Sequence, residues 1–160
     1  MRRELKVPSG GVEVSEPLIG NDPEVTLALE RVRAYAQDHG RASFAGASRL
    51  RDANGDERKS MIVWRVPNNE FDARVRVAAG DGITVVLQDA PHSESELADV
   101  LHRARALIGP HAIEGSIWSI RPDGSGITLK LPEDVATWQR VMDEHFPGYV
   151  QVTYGQAFPA

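Results

Sequence analysis

The sequence predicts an α+β fold: an N-terminal helix plus an antiparallel β-meander, followed by a ferredoxin-like βαββαβ unit. Three observations carry that expectation. Apolar residues fall at helical spacing in three segments, fenced by capping or breaking residues. Between them the period changes to two, with turn residues in the gaps. From Ile83 onward the order reads strand, helix, strand, strand, helix, strand, the split unit of the ferredoxin-like arrangement.

Residues 1–20 mix apolar residues with Pro and Gly and read as an extended arm, with an edge strand at Val12 to Val14. Asn21-Asp22-Pro23 then supplies a cap and a proline at the first helical position, and Glu24 adds charge where the helix dipole favours it. Val25, Ala28, Leu29, Val32 and Ala36 share one face before Gly40 ends the run. A strand near Ala42 to Asp52 and another over Met61 to Val66 flank Asn54-Gly55, a strong hairpin signal. After Pro67-Asn68-Asn69, Phe71 to Val77 alternates apolar residues with Asp72, Arg74 and Arg76, and reads as the third strand of the meander. The expected first unit is therefore 21–79.

Gly80-Asp81-Gly82 marks the boundary to a second unit, 80–160, with a strand over Ile83 to Gln88. Ser93 and Glu96 have capping-box spacing ahead of a helix to Ile108, stopped by Gly109-Pro110. Strands are expected over Ile113 to Ile120 and Ile127 to Leu131, joined through Pro122-Asp123-Gly124-Ser125-Gly126. A helix over Glu133 to Phe146 and a strand over Tyr149 to Tyr154 complete the unit. No internal repeat is evident in the sequence.

With 160 residues, 41% hydrophobic and 26% charged, the chain can bury one sizeable core or two small ones. The absence of cysteine excludes disulfides, thiolate nucleophiles and cysteine-based zinc sites together. Arg2 and Arg3 precede charges and a Pro8-Ser9-Gly10-Gly11 break where a signal peptide needs an apolar run. No stretch approaches the roughly 18 apolar residues of a membrane span. A cytoplasmic protein without membrane insertion is expected. The net charge of −5 hides an asymmetry, since residues 1–79 carry 13 Lys and Arg against 12 Asp and Glu, and residues 80–160 carry 5 against 11. An acidic second half argues against nucleic acid, whose phosphates need clustered basic residues.

Chemistry-bearing patterns are sparse. Asp123-Gly124-Ser125-Gly126 lies between two strands, so it reads as a tight hairpin turn rather than a phosphate cradle. The histidines, His39, His92, His102, His111 and His145, form no metal-ligand spacing, and no cofactor is expected. The serines include no Gly-x-Ser-x-Gly elbow, and paired acids such as Asp143 and Glu144 are adjacent on helix ends, facing apart. The candidate binding residues are Arg65, Arg74 and Arg76 on a charged sheet face, Trp118 on a central strand, and Phe158 in the apolar C-terminal tail.

The Asp89-Ala90-Pro91-His92-Ser93 lead into a helix, the Pro122 to Ile127 hairpin and the ending Val150-Gln151-Val152-Thr153-Tyr154-Gly155 resemble uncharacterised actinobacterial α+β proteins. The same half faintly resembles the pro-regions of α-lytic-type serine proteases, a resemblance that implies small α/β domains and a C-terminal tail set against an enzyme, and no catalytic residue. The expected function is a non-catalytic protein-binding protein, an inhibitor or immunity-like partner of an enzyme, with a homodimer through exposed edge strands a further option. The alternative is a small-ligand sensor or enzyme using a cleft between the halves, lined by Arg65, Arg74 or Arg76.

Overall fold

The computed structural model describes residues 22–51, 57–109 and 114–155. Helix α1 (Pro23–His39) starts as its sequence dictates: the Asp22 carboxylate accepts from the Glu24 N–H at 2.8 Å, with proline in the first turn. Its buried stripe is Val25, Ala28, Leu29, Val32 and Ala36. Strands β1 (Phe44–Arg51) and β2 (Glu57–Arg65) pair antiparallel. The Asn54-Gly55 turn and the Val12 to Val14 strand lie outside the described residues.

Phe71 to Val77 is not a third meander strand. It belongs to helix α2 (Asn69–Ala79), capped by the Asn68 side chain, which accepts from the Phe71 N–H at 2.9 Å. Phe71, Val75 and Ala79 recur every four residues and are buried, whereas Val77, apolar in the alternating pattern, is 80% exposed. Arg31 of α1 holds the helix end, donating to the carbonyls of Ala78 (2.9 Å) and Ala79 (2.7 Å).

Strand β3 (Thr84–Asp89) follows and pairs parallel to β2, giving a three-stranded sheet of order β1-β2-β3. A ferredoxin-like arrangement would place this strand in the sheet of the C-terminal strands. It lies in the other sheet, so the βαββαβ segment does not close as such a unit. The chain continues through α3 (Glu94–Ile108), β4 (Ile117–Ile120), β5 (Ile127–Leu131), α4 (Val135–His145) and β6 (Val150–Tyr154). Strands β4 and β5 pair antiparallel, β5 and β6 parallel, in a second sheet of order β4-β5-β6.

The mixed α+β protein therefore contains the same order twice, helix, strand, strand, helix, strand, each with one antiparallel and one parallel pairing. The repeat is one of architecture. Each half buries one sheet face under its two helices. Val25, Val32, Met61, Val63 and Val75 are fully buried in the first core; Leu97, Ile127, Leu129, Leu131 and Met142 in the second. Such side chains contribute roughly 1.5–3 kcal/mol each through burial.

The β4–β5 turn joins the halves. A Cβ at Gly46 would sit 2.1 Å from the Pro122 carbonyl oxygen, so only glycine lets the turn seat on β1. Gly124, at φ +73°, is hemmed in by the His92 carbonyl, Ala90 and Ala45. The Ser95 hydroxyl, at the start of α3, donates to the Arg41 carbonyl at 2.8 Å.

Candidate functional site

Side chains alternate across a strand, so a sheet covered by helices on one face presents its other residues outward. In the first sheet Ala47, Met61, Val63, Val85 and Leu87 face the helices. The opposite face carries two cross-strand rows, Ser48–Ile62–Val86 and Gly46–Trp64–Gln88. Ile62 and Trp64 are half-buried and Val86 is 38% exposed, flanked by exposed Ser48, Thr84 and Gln88. The outcome is an apolar centre with a polar rim. Pro122 borders it at Gly46.

The outward face of the second sheet is different. Its rows Ser119–Thr128–Gln151 and Ile117–Lys130–Thr153 are polar but for Ile117, and Arg121 ties Thr128 to Gln151. The guanidinium donates to the Thr128 hydroxyl at 2.8 Å, to the Gln151 amide oxygen at 3.2 Å and, through Nε, to the Ser125 hydroxyl at 2.7 Å. Asp123 accepts from the Ser125 hydroxyl (2.7 Å) and N–H (3.0 Å), which holds its carboxyl below the usual range. These bonds fix Pro122 to Gly126 as a tight hairpin turn.

The sequence-predicted residues do not converge. Arg65, at the end of β2, is only 11% exposed and forms a bidentate pair with Asp72 of α2 (2.8 and 3.0 Å), while its other nitrogen bonds Asp89. The pairing raises the guanidinium pKa still further and lowers that of Asp72. Arg74 is exposed beside Glu70 at 3.6 Å, on the rim of a cleft of about 350 Å³ that also meets Tyr35 and His39. Arg76 lies exposed on α2, away from any sheet face. Trp118 packs with Ile120 against the second core. Phe158 lies outside the described residues.

The outward trio Ile62, Trp64 and Val86 was missed. Its signal was present as the alternate positions of two apolar runs, 61–66 and 83–88, which read as strands without an indication of which face is open. Two other groupings occupy the seam. A cleft of about 440 Å³ is lined by Arg33, Gln37 and Arg41 from one half and Glu94 and Ser95 from the other. At the start of α3, Glu96 accepts from the Tyr149 hydroxyl at 2.5 Å and meets His92 Nδ1 at 3.2 Å, and the His92 and Tyr149 rings lie 4.5 Å apart. The Glu96 bond pushes the Tyr149 hydroxyl pKa up. This cluster fastens α3 to Tyr149, the residue just before β6.

Among the described residues, no three His, Asp or Glu side chains gather as metal ligands, and no helix is long and apolar enough to cross a membrane. A scan against protein-family models finds no match, and no curated protein proves similar to the chain.

Proposed function

We propose that the protein is a non-catalytic interaction protein of the cytoplasm that binds a protein partner, as an inhibitor or immunity protein does, through the outer face of its first sheet. The observation that carries this reading is the apolar trio Ile62, Trp64 and Val86, aligned across β2 and β3 on the sheet face opposite the two helices of its own half. A tryptophan and two aliphatics ringed by small polar residues have the composition of an interface centre. The likeness of the C-terminal half to protease pro-regions is in keeping with the inhibitor form.

The test is affinity capture from the native host, with masses read under native conditions. Wild type is expected to retain one protein partner stoichiometrically. Trp64→Ala and Ile62→Lys should weaken that complex by about tenfold or more. A partner held equally by both variants would remove this face from consideration. Removal of residues 156–160 with unchanged binding would exclude Phe158.

A second reading, a ligand sensor or enzyme with a cleft between the halves, is favoured by the seam cleft with its Arg33 and Arg41. It differs from the expected cleft, because Arg65, Arg74 and Arg76 are not among the residues lining the seam cleft and Arg65 is engaged by acids of its own half. A small molecule captured in place of a protein would favour it.

A further inference from the structure

Each sheet has two outer strands, and the two that pair parallel, β3 and β6, have their free edges finished differently. In a parallel pair alternate residues direct both backbone groups to the neighbour, leaving the others pointing away. Ile127 N–H donates to the Tyr149 carbonyl and Gly155 N–H to the Leu131 carbonyl, so odd-numbered residues of β6 face β5 and Val150 and Val152 face outward. Both are met by one side chain. Gln139 of α4 donates to the Val150 carbonyl at 3.0 Å and accepts from the Val152 N–H at 2.7 Å, imitating the strand that is missing.

On β3, Ala90 N–H donates to the Arg65 carbonyl, so even-numbered residues face β2 and Val85 and Leu87 point outward. Among the described residues no side chain reaches their backbone groups. The segment Thr84-Val85-Val86-Leu87-Gln88 also carries no charge and no proline, the usual devices against edge pairing.

We infer that β3 is the edge through which two copies of the chain pair, antiparallel about a two-fold axis at Val86. This register makes Val85–Leu87′ and Leu87–Val85′ the hydrogen-bonded pairs, four bonds in all by the antiparallel pattern. Thr84 meets Gln88′, and no like charges oppose one another. Val86 and Val86′ become a non-hydrogen-bonded pair, where side chains approach most closely. The apolar row Ile62–Val86 then runs on into Val86′–Ile62′. A segment that matches its own reverse in hydrogen bonding, size and charge fits a second copy of itself. The pairing concerns the edge, and stands or falls separately from the partner proposed for the face.

Sedimentation equilibrium on the purified full chain tests it. Wild type is expected to dimerise reversibly. Val86→Lys and Val86→Glu each place like charges on the axis and should raise the dimer dissociation constant by tenfold or more, on the order expected for opposed charges. Because Val86 is partly exposed, both variants should keep the wild-type circular dichroism. Mixed one to one, they should re-pair as a heterodimer, which misfolded variants would not do. A monomeric wild type, a dimer indifferent to both variants, or a mixture that stays apart would overturn the inference. So would a monomer with slowly exchanging Val85 and Leu87 amides, which would assign the edge to residues 1–21. Loss of partner binding in Ile62→Lys with the dimer intact bears only on the face.

Discussion

The N-terminal and C-terminal halves share one plan and differ in what they leave open. In the C-terminal half the outer sheet face is polar and internally bonded through Arg121, and the outer edge is closed by Gln139. In the N-terminal half the same face is apolar at its centre, and the same edge has no side-chain cover among the described residues. Both cores are complete, so folding stability does not account for the contrast. Burial fixes only the face beneath the helices; the other face and the edge are free to be closed or to be used.

The largest effects should come from the cores themselves, and they ask whether the halves fold together. Met61→Ala and Leu129→Ala each remove a fully buried side chain, and each should cost about 3 kcal/mol. In urea both should lower the midpoint of one shared transition, because the β4–β5 turn binds the halves. Gly46→Val attacks only that seam. Its Cβ would strike the Pro122 backbone, so a loss of about 2 kcal/mol is expected. The informative outcome is the shape: unfolding should split into two transitions, one per half. A single unsplit transition would mean the halves are coupled elsewhere.

Arg65→Ala probes a device the second half lacks. There Leu131, paired to Tyr154, takes the place at the strand end that Arg65, paired to Asp89, holds in the first. Since the Asp89 carboxylate stands in solvent and is screened, the loss should be modest, about 1–2 kcal/mol at neutral pH. The sign with pH follows from Asp72. Its folded pKa lies below the unfolded value, so the folded state binds fewer protons and the pair stabilises above pH ~4. That contribution fades as pH falls through the folded value. The gap in stability between wild type and variant should therefore narrow below pH ~4, as read from urea midpoints at several pH values. Arg65→Lys, which keeps charge without the bidentate fork, should recover only part of it.

Much of the local structure was legible because it is written in short-range chemistry. Asp22, ahead of Pro23, and Ser93 mark helix starts by accepting from the first-turn N–H groups of Glu24 and Glu96. The error at Phe71 to Val77 arose where two periods fit one short segment. Positions 71, 73, 75 and 77 alternate, while 71, 75 and 79 follow the helical turn. The Asn68 cap and the Arg65–Asp72 contact across the strand–helix junction decide for helix, and only the first is local. That single misassignment concealed the repeat, since a helix at α2 makes both halves read helix, strand, strand, helix, strand. It also let β3 be grouped with the elements after it. Which sheet a strand joins depends on pairing between distant segments, and the sequence order alone is compatible with both choices. Of the candidate site, the charged residues were named and the apolar trio was not, because an apolar run does not say which of its faces a helix will cover.

The smallest effect on stability sharpens the comparison most. Gln139→Ala removes two hydrogen bonds to the edge of β6 and should cost only about 1 kcal/mol, because water can replace both. Its consequence for association is larger. The variant gives β6 the same bare edge as β3, over Val150-Gln151-Val152-Thr153-Tyr154, which likewise carries no charge. A molecule with one pairing edge closes as a dimer, but one with two can propagate. Gln139→Ala is therefore expected to form species larger than the dimer in sedimentation velocity, and Val86→Lys added to it should reduce these to dimers through β6. If Gln139→Ala keeps the wild-type mass, the amide of Gln139 is not what keeps the second edge closed, and the difference between the two halves must lie in the strands themselves.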